Sequence, residues 1–116
     1  MGIDVGFYVV VGDPVRRCYA HTKLEVSRDY PLHGKIKEVM AAVGHPLTSP
    51  ISGHFGDHYE DVMEDAYGAP LKWVHASELA KLSKYASAEG YPGHDDAIFA
   101  FLKALDPSTK IVVYWH

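Results

Sequence analysis

Cysteine is almost absent from this sequence, since Cys18 is the only one among 116 residues. A lone thiol cannot form a disulfide within the chain, so an ordinary hydrophobic core must hold the fold together. Long apolar runs are absent too, because none approaches the roughly 20 residues that cross a bilayer as a helix. The first residues carry no basic lead of the kind found in secretory signals. We therefore expect a single cytoplasmic domain over residues 1–116, with no membrane association.

Lysine and arginine are missing from the middle of the chain. Neither occurs between Lys37 and Lys72, although the formal net charge of the whole chain is only −4. Acidic residues are frequent in the same interval, namely Glu38, Asp57, Glu60, Asp61, Glu64 and Asp65. Such a segment would repel a nucleic acid and attract a basic protein surface. The sequence thus predicts a protein partner and disfavours a nucleic-acid partner.

Motifs for nucleotide binding and for nucleophilic catalysis are also absent. Neither the GxxxxGK[ST] phosphate loop nor the GxGxxG dinucleotide fingerprint occurs. Cys18 and His21 lie three residues apart on a predicted strand, so their side chains would point to opposite faces and could not pair as nucleophile and base. We expect no cofactor, and the sequence favours a role other than catalysis.

The apolar residues that are present follow the periodicities of both strands and helices. Strands are predicted at about 3–12, 18–26, 70–76 and 110–116, and helices at about 32–43, 57–67, 77–86 and 96–105. The order β-β-α-α-β-α-α-β predicts an α+β fold with a mixed four-stranded sheet and helices packed on it.

Alternation along the predicted strands indicates which side chains are buried. In the second strand, one face would carry Cys18, Ala20, Thr22, Leu24 and Val26, and the other Tyr19, His21, Lys23 and Glu25. The last strand is apolar on both faces, which is typical of a central strand. The expected buried layer comprises Val9, Val11, Val74, Ile111, Val113 and Trp115.

The stretch from residue 45 to 67 is the main candidate for a functional region. Its first part, residues 45–56, is rich in proline, glycine and hydroxyl residues and is predicted to be a long loop. A helix would start near Asp57, whose side chain would form a capping box with Glu60. The exposed side of that helix would present the predicted partner-binding residues, which are Asp57, Glu60, Asp61, Glu64 and Asp65.

Histidines close to these acids suggest a metal site as an alternative. Imidazoles four residues apart can share a zinc ion with a carboxylate if they lie on a helix, although the glycines around His54 disfavour a helix there. A His-Asp pair further along the chain would have to come close in space. This alternative metal set consists of His54, His58, Asp61, His94 and Asp95.

The sequence supports three hypotheses about function. The leading one is a small non-catalytic binding or inhibitory protein, of the immunity-protein or phage-inhibitor type, that binds a basic partner through the acidic helix and adjacent loop; it rests on analogy of size and charge. The second is a metal-dependent phosphoesterase or nuclease that uses the histidine and aspartate set. The third is a structural subunit of a homo-oligomer.

Overall fold

The computed structural model describes residues 3–55, 58–86 and 92–116. Within these ranges, seven strands and three α-helices follow one another, with one 3₁₀ helix at Lys81–Tyr85. They are β1 (Val5–Asp13), β2 (Arg17–Val26), α1 (Tyr30–Val43), β3 (His45–Pro46), β4 (Ile51–Phe55), β5 (His58–Val62), β6 (Lys72–His75), α2 (Ala76–Ala80), α3 (Pro92–Ala104) and β7 (Lys110–Trp115). Within the described ranges, no helix is long and apolar enough to cross a membrane.

The seven strands form one mixed sheet in the order β3-β6-β7-β1-β2-β4-β5, curved into a half-barrel. All neighbouring strands are antiparallel except β2 and β4. The α+β class is confirmed, whereas the prediction of a four-stranded sheet is wrong. The predicted hairpin of the first two strands and the central last strand are present.

The three additional strands come from the region that was predicted as a loop followed by a helix. Residues 51–55 and 58–62 form an antiparallel hairpin, so the helix predicted at 57–67 is wrong over its described residues. In β4 the side chains of Ile51 and Phe55 are buried and alternate with exposed positions, which is a strand period. Once β4 is in place, pairing with it satisfies the backbone groups on the inner side of β5, although β5 itself has almost no buried side chain. The predicted cap at Asp57 lies outside the described residues.

A register shift in the first hairpin changes which side chains of β2 share a face. Val9 pairs with Thr22 while Val10 pairs with Ala20, so His21 is an extra residue in β2. Beyond this bulge the alternation reverses: Leu24 and Val26 pack with the helices. Cys18 and Ala20 lie on the opposite face, and the predicted common face of these residues is therefore wrong.

The two faces of the sheet carry separate hydrophobic cores. The helix-side core joins α1, α2 and α3 to residues such as Phe7 and Ile111. On the other face, the ring of Phe55 lies 5.0 Å from that of Tyr114, although β1 and β2 separate their strands in the sheet. In a flat sheet these strands would lie about 14 Å apart. The sheet therefore curls around this face, which we call the concave face.

Most of the predicted buried layer lies on the helix side of the sheet. Ile111, Val113 and Val74 are buried, and Trp115 and Val9 are partly buried. Val11, in contrast, is 51% exposed. The pairing of β1 with β7 ends at Val9, so the end of β1 extends beyond the covered part of the sheet.

Candidate functional site

The acidic residues of the predicted set that the structure describes lie on a strand and a turn, not on a helix; Asp57 lies outside the described residues. Glu60 and Asp61 belong to β5, where consecutive side chains point to opposite faces. Glu64 and Asp65 belong to the turn between β5 and β6, which is closed by a bridge from Glu64 to Pro70. The common helical face on which these acids were predicted to lie does not exist.

Nevertheless, these residues occupy one continuous edge of the molecule. Strand β5 is the last strand of the sheet, and within the described ranges its outer side has no partner strand. The side chains of Tyr59, Met63 and Tyr67 on this edge are 60%, 41% and 59% exposed. We call the segment from His58 to Gly68 the edge surface.

The acids of the edge surface differ in how they are bound. Ser52 donates a hydrogen bond of 2.5 Å to the Asp61 carboxylate. The Asp65 carboxylate accepts the backbone N–H groups of Tyr67 and Ala69 at 2.8 and 3.1 Å, which stabilises the turn. Among the described residues, none of the acids of the edge surface forms an ion pair with a cation.

The residues of the alternative metal set are not brought together. His54 pairs with Tyr59 and His58 pairs with Phe55, so the two imidazoles lie on opposite faces of the β4–β5 hairpin. A ring nitrogen of His94 contacts the Glu25 carbonyl oxygen instead. His94 lies in the first turn of α3. In that turn, Asp95 accepts hydrogen bonds from the backbone N–H and the hydroxyl of Ser27 at 3.1 and 2.5 Å.

A second polar group, which the sequence did not indicate, lies on the concave face. It consists of Asp4, Tyr8, Lys23, Glu25, Tyr114 and His116 and is called the concave cluster here. The bulge at His21 brings Lys23 and Glu25 to this face. Gly6 supplies the room, because a Cβ there would lie 3.3 Å from both Glu25 Oε2 and Lys23 Cε. The glycine inside a strand was the available sequence signal, but the bulge was needed to interpret it.

Burial and neighbouring charges shift the protonation equilibria of the concave cluster. Burial raises the pKa of the Tyr8 and Tyr114 hydroxyls above the usual tyrosine value. A hydrogen bond from the Arg28 guanidinium lowers the pKa of Asp4. The Lys23 ammonium has a raised pKa, because its contacts with Glu25 and Tyr8 outweigh the opposing effect of burial. At neutral pH both phenols are therefore protonated and the lysine is charged.

Three members of the concave cluster have the donor atoms of a metal site. Single ligand atoms of Asp4, Glu25 and His116 lie within 4.8 Å of one another. However, Arg28 contacts both carboxylate oxygens of Asp4 at 2.8 and 3.2 Å, and Lys23 lies 3.2 Å from Glu25. Two carboxylates are thus balanced by two cations, each of which would repel a metal ion. The arrangement fits an ion-pair network better than a metal centre.

Within this network, the side chains of His116 and Glu25 lie close together without the geometry of a hydrogen bond. His116 Nε2 lies 2.7 Å from Glu25 Oε1. Yet neither His116 Nε2 nor Glu25 Oε2 makes a hydrogen bond of acceptable geometry to any described residue, although both atoms are buried. The attraction between them depends on the charge of the imidazole, which exists only when the imidazole is protonated.

The chain matches no family model, no curated protein and no solved structure.

Proposed function

We propose that the protein is a non-catalytic binding protein that takes a basic segment of a protein partner on its edge surface. The observation that carries the proposal is the position of β5 at the open edge of the sheet, with acidic side chains that no described cation neutralises. An open edge strand presents unpaired backbone N–H and C=O groups, which an extended segment can pair with.

The side chains of β5 suggest the chemistry of the partner segment. Tyr59 and Asp61 point to one face of the hairpin and Glu60 to the other. An added strand with lysine or arginine on both faces would neutralise these acids. Exposed tyrosine and methionine next to them are residue types enriched in protein interfaces. Charge attraction would also accelerate the encounter with a basic surface.

The same charges disfavour the pairing of β5 with a second copy of the chain. An edge-to-edge dimer would place Glu60 and Asp61 close to their own counterparts, and like charges opposite each other in a sheet are destabilising. The basic partner is therefore favoured over the structural-subunit hypothesis at this edge.

The test compares capture of partners from a lysate by the wild type and by a Glu60→Lys/Glu64→Lys variant. Both acids are exposed and make no hydrogen bond that holds the fold, so the variant should keep the melting temperature of the wild type. We expect it to lose the captured protein, and we expect wild-type capture to weaken as salt rises towards physiological strength.

Asp96→Lys/Glu38→Lys is the matched control, because both of these acids are exposed and lie on helices away from the edge surface. It makes the same change in net charge. If both double variants lose the partner equally, general charge and not the edge surface controls binding. Capture that ignores the Glu60/Glu64 reversal and the salt would refute the proposal.

A further inference from the structure

A cleft of about 460 Å³ opens on the helix side of the sheet. Its floor is formed by Val113 and Trp115 near the end of β7. Strand β6 pairs with β7 only as far as Val112, so it leaves the next residues of β7 uncovered on that side. The turn between β5 and β6 approaches instead, and Ala66 donates its backbone N–H to the Trp115 carbonyl at 3.0 Å. The cleft is the space between this turn and α1.

The walls of the cleft are mostly apolar, with cations at the rim. Met40 and Ala41 of α1 face Ala69 and Pro70 of the turn. A second hollow of about 340 Å³ continues the cleft past Trp115 towards Ile3 and Tyr67. The volume lies in the range of small-molecule sites, and the lining has the composition typical of them.

Two lysines flank this apolar surface without an acidic partner. Lys37 extends from α1, and its ammonium lies 5.1 Å from the centroid of the Trp115 ring. Lys72 extends from β6, where its stem passes Gly44. Neither ammonium has a carboxylate of a described residue within ion-pair distance. The carboxylate of Asp65 also lines the cleft and its continuation, but its Oδ1 accepts the N–H groups of Tyr67 and Ala69 in its own turn.

From this arrangement we infer that the cleft binds a small organic anion with a flat apolar body, such as an aromatic carboxylate. The apolar body would cover Val113, Trp115 and Met40, and the anionic group would lie between Lys37 and Lys72. Trp115 is only partly buried, and a cation over a partly exposed aromatic ring is held weakly, so Lys37 is free to pair with the ligand. A neutral or cationic ligand of the same shape would leave the two ammonium groups uncompensated.

This inference is independent of the proposed function of the edge surface. The cleft lies on the helix side of the sheet, whereas β5 forms the edge beyond β4; the two sites share Asp65 and Tyr67, which neither set of variants changes. Neither Lys37 nor Lys72 belongs to the edge surface, and neither Glu60 nor Glu64 lines the cleft. Each site can thus be tested without changing the other.

The experiment is a titration followed by two-dimensional ¹H–¹⁵N NMR with three probes of one shape. They are 2-naphthoate, the neutral 2-naphthylmethanol and the cationic 2-naphthylmethylamine. The indole N–H signal of Trp115 reports on the cleft, and that of Trp73, which packs on the concave face, is the internal control. We expect saturable shifts of the Trp115 signal with naphthoate, much weaker ones with the alcohol and none with the amine.

The lysines are tested with Lys37→Met/Lys72→Met and with each single variant, in case the double variant folds poorly. Methionine keeps the apolar stem and removes the charge. Affinity for 2-naphthoate should fall about tenfold in the double variant, as expected for the loss of two partly exposed charge contacts. Lys103→Met is the matched control, because this lysine borders a separate cleft next to Leu105.

Several results would overturn the inference. They are an unchanged Trp115 signal, shifts that spread over the surface without saturation, or equal binding of the acid and the alcohol. Equal affinities of the wild type and of the lysine variants would also overturn it. A Trp115 signal that moves with protein concentration alone would show that a second copy of the chain covers the cleft.

Discussion

Gly53 sets how closely β4 can approach β2. A Cβ on this residue would lie 2.6 Å from the Cβ of Ala20 and 3.3 Å from the ring of Phe55. The Ala20 methyl group has no rotatable bond that could move it away, so the strands themselves would have to separate. A glycine at this position is therefore a packing requirement of the parallel β2–β4 contact.

We predict that Gly53→Ala lowers the free energy of unfolding by about 2 kcal/mol, a typical cost of overpacking. Urea denaturation of the purified variants would measure it. Adding Ala20→Gly should recover part of the loss, because it removes the methyl group that clashes.

The control for this pair is Ala20→Gly alone, which should destabilise the protein through the loss of packing and the gain in chain entropy. The two substitutions should then be non-additive, with the double variant more stable than the sum of the single effects predicts. Strict additivity would mean that the two residues do not press on each other.

At the scale of elements, the bulge at His21 decides the composition of both faces of the sheet. It brings Lys23 and Glu25 to the concave face, while Leu24 and Val26 pack under the helices. The bulge absorbs this one extra residue, so the pairing of β2 with β1 is regular on both sides of it. The imidazole of His21 is exposed and contributes little.

We therefore predict that the fold tolerates both the replacement and the deletion of His21. His21→Ala should melt close to the wild type, with a change in unfolding free energy within about 0.5 kcal/mol. The deletion would make Ala20 and Thr22 neighbours opposite Val10 and Val9, which gives a regular ladder and leaves Cys18, Ala20, Lys23 and Glu25 on the concave face. The cooperative thermal transition that circular dichroism detects in the wild type should therefore persist. A deletion variant without a cooperative transition would show that the fold needs the bulge itself and not only the placement of side chains on the two faces.

Elements with local signals were predictable from the sequence, and elements that depend on distant partners were not. Helix α1 has a capping aspartate, a proline in its first turn and a terminating glycine, all within one stretch of chain: Asp29 accepts a hydrogen bond from the Leu32 N–H at 3.2 Å, and Gly44 ends the helix. Strand β5, by comparison, has few apolar side chains and exists because β4 pairs with it. Its tyrosine and valine, together with the methionine that follows the strand, fit a helical period, so periodicity alone was ambiguous.

The same contrast between local signals and distant contacts applies to the candidate sites. The acidic composition of the edge surface was visible in the sequence, because charge is independent of conformation. Its geometry was not visible, because the partner strand had been predicted as a loop. The concave cluster required the bulge, the small size of Gly6 and the curl of the sheet together. The hairpin that contains the bulge was predicted, but the bulge and the curl were not. The cleft at Trp115 depends on where β6 stops pairing with β7, which no local signal marks.

For the whole molecule, β7 is the element that couples the two cores. Ile111 and Val113 face the helix-side core, while Val112 and Tyr114 face the concave core. Both Ile111 and Val112 are fully buried. The strand is hydrogen-bonded to β1 on one side and to β6 on the other. Neither core can lose its contact with β7 without removing the backbone partner of the other.

This coupling predicts a single unfolding transition in which both cores melt together. Ile111→Ala should lower the unfolding free energy by about 3 kcal/mol and Val112→Ala by about 2 kcal/mol, through lost burial and the cavities that remain. The helix signal in the far-ultraviolet reports on the helix-side core. The near-ultraviolet signal includes Tyr8, Tyr114 and Trp73 of the concave core, with a contribution from Trp115 on the helix side. In each variant both signals should shift to lower temperature by the same amount and remain coincident. Separate transitions, with Ile111→Ala lowering only the helix signal and Val112→Ala only the aromatic signal, would mean that the two faces of the sheet unfold independently and that β7 does not join them.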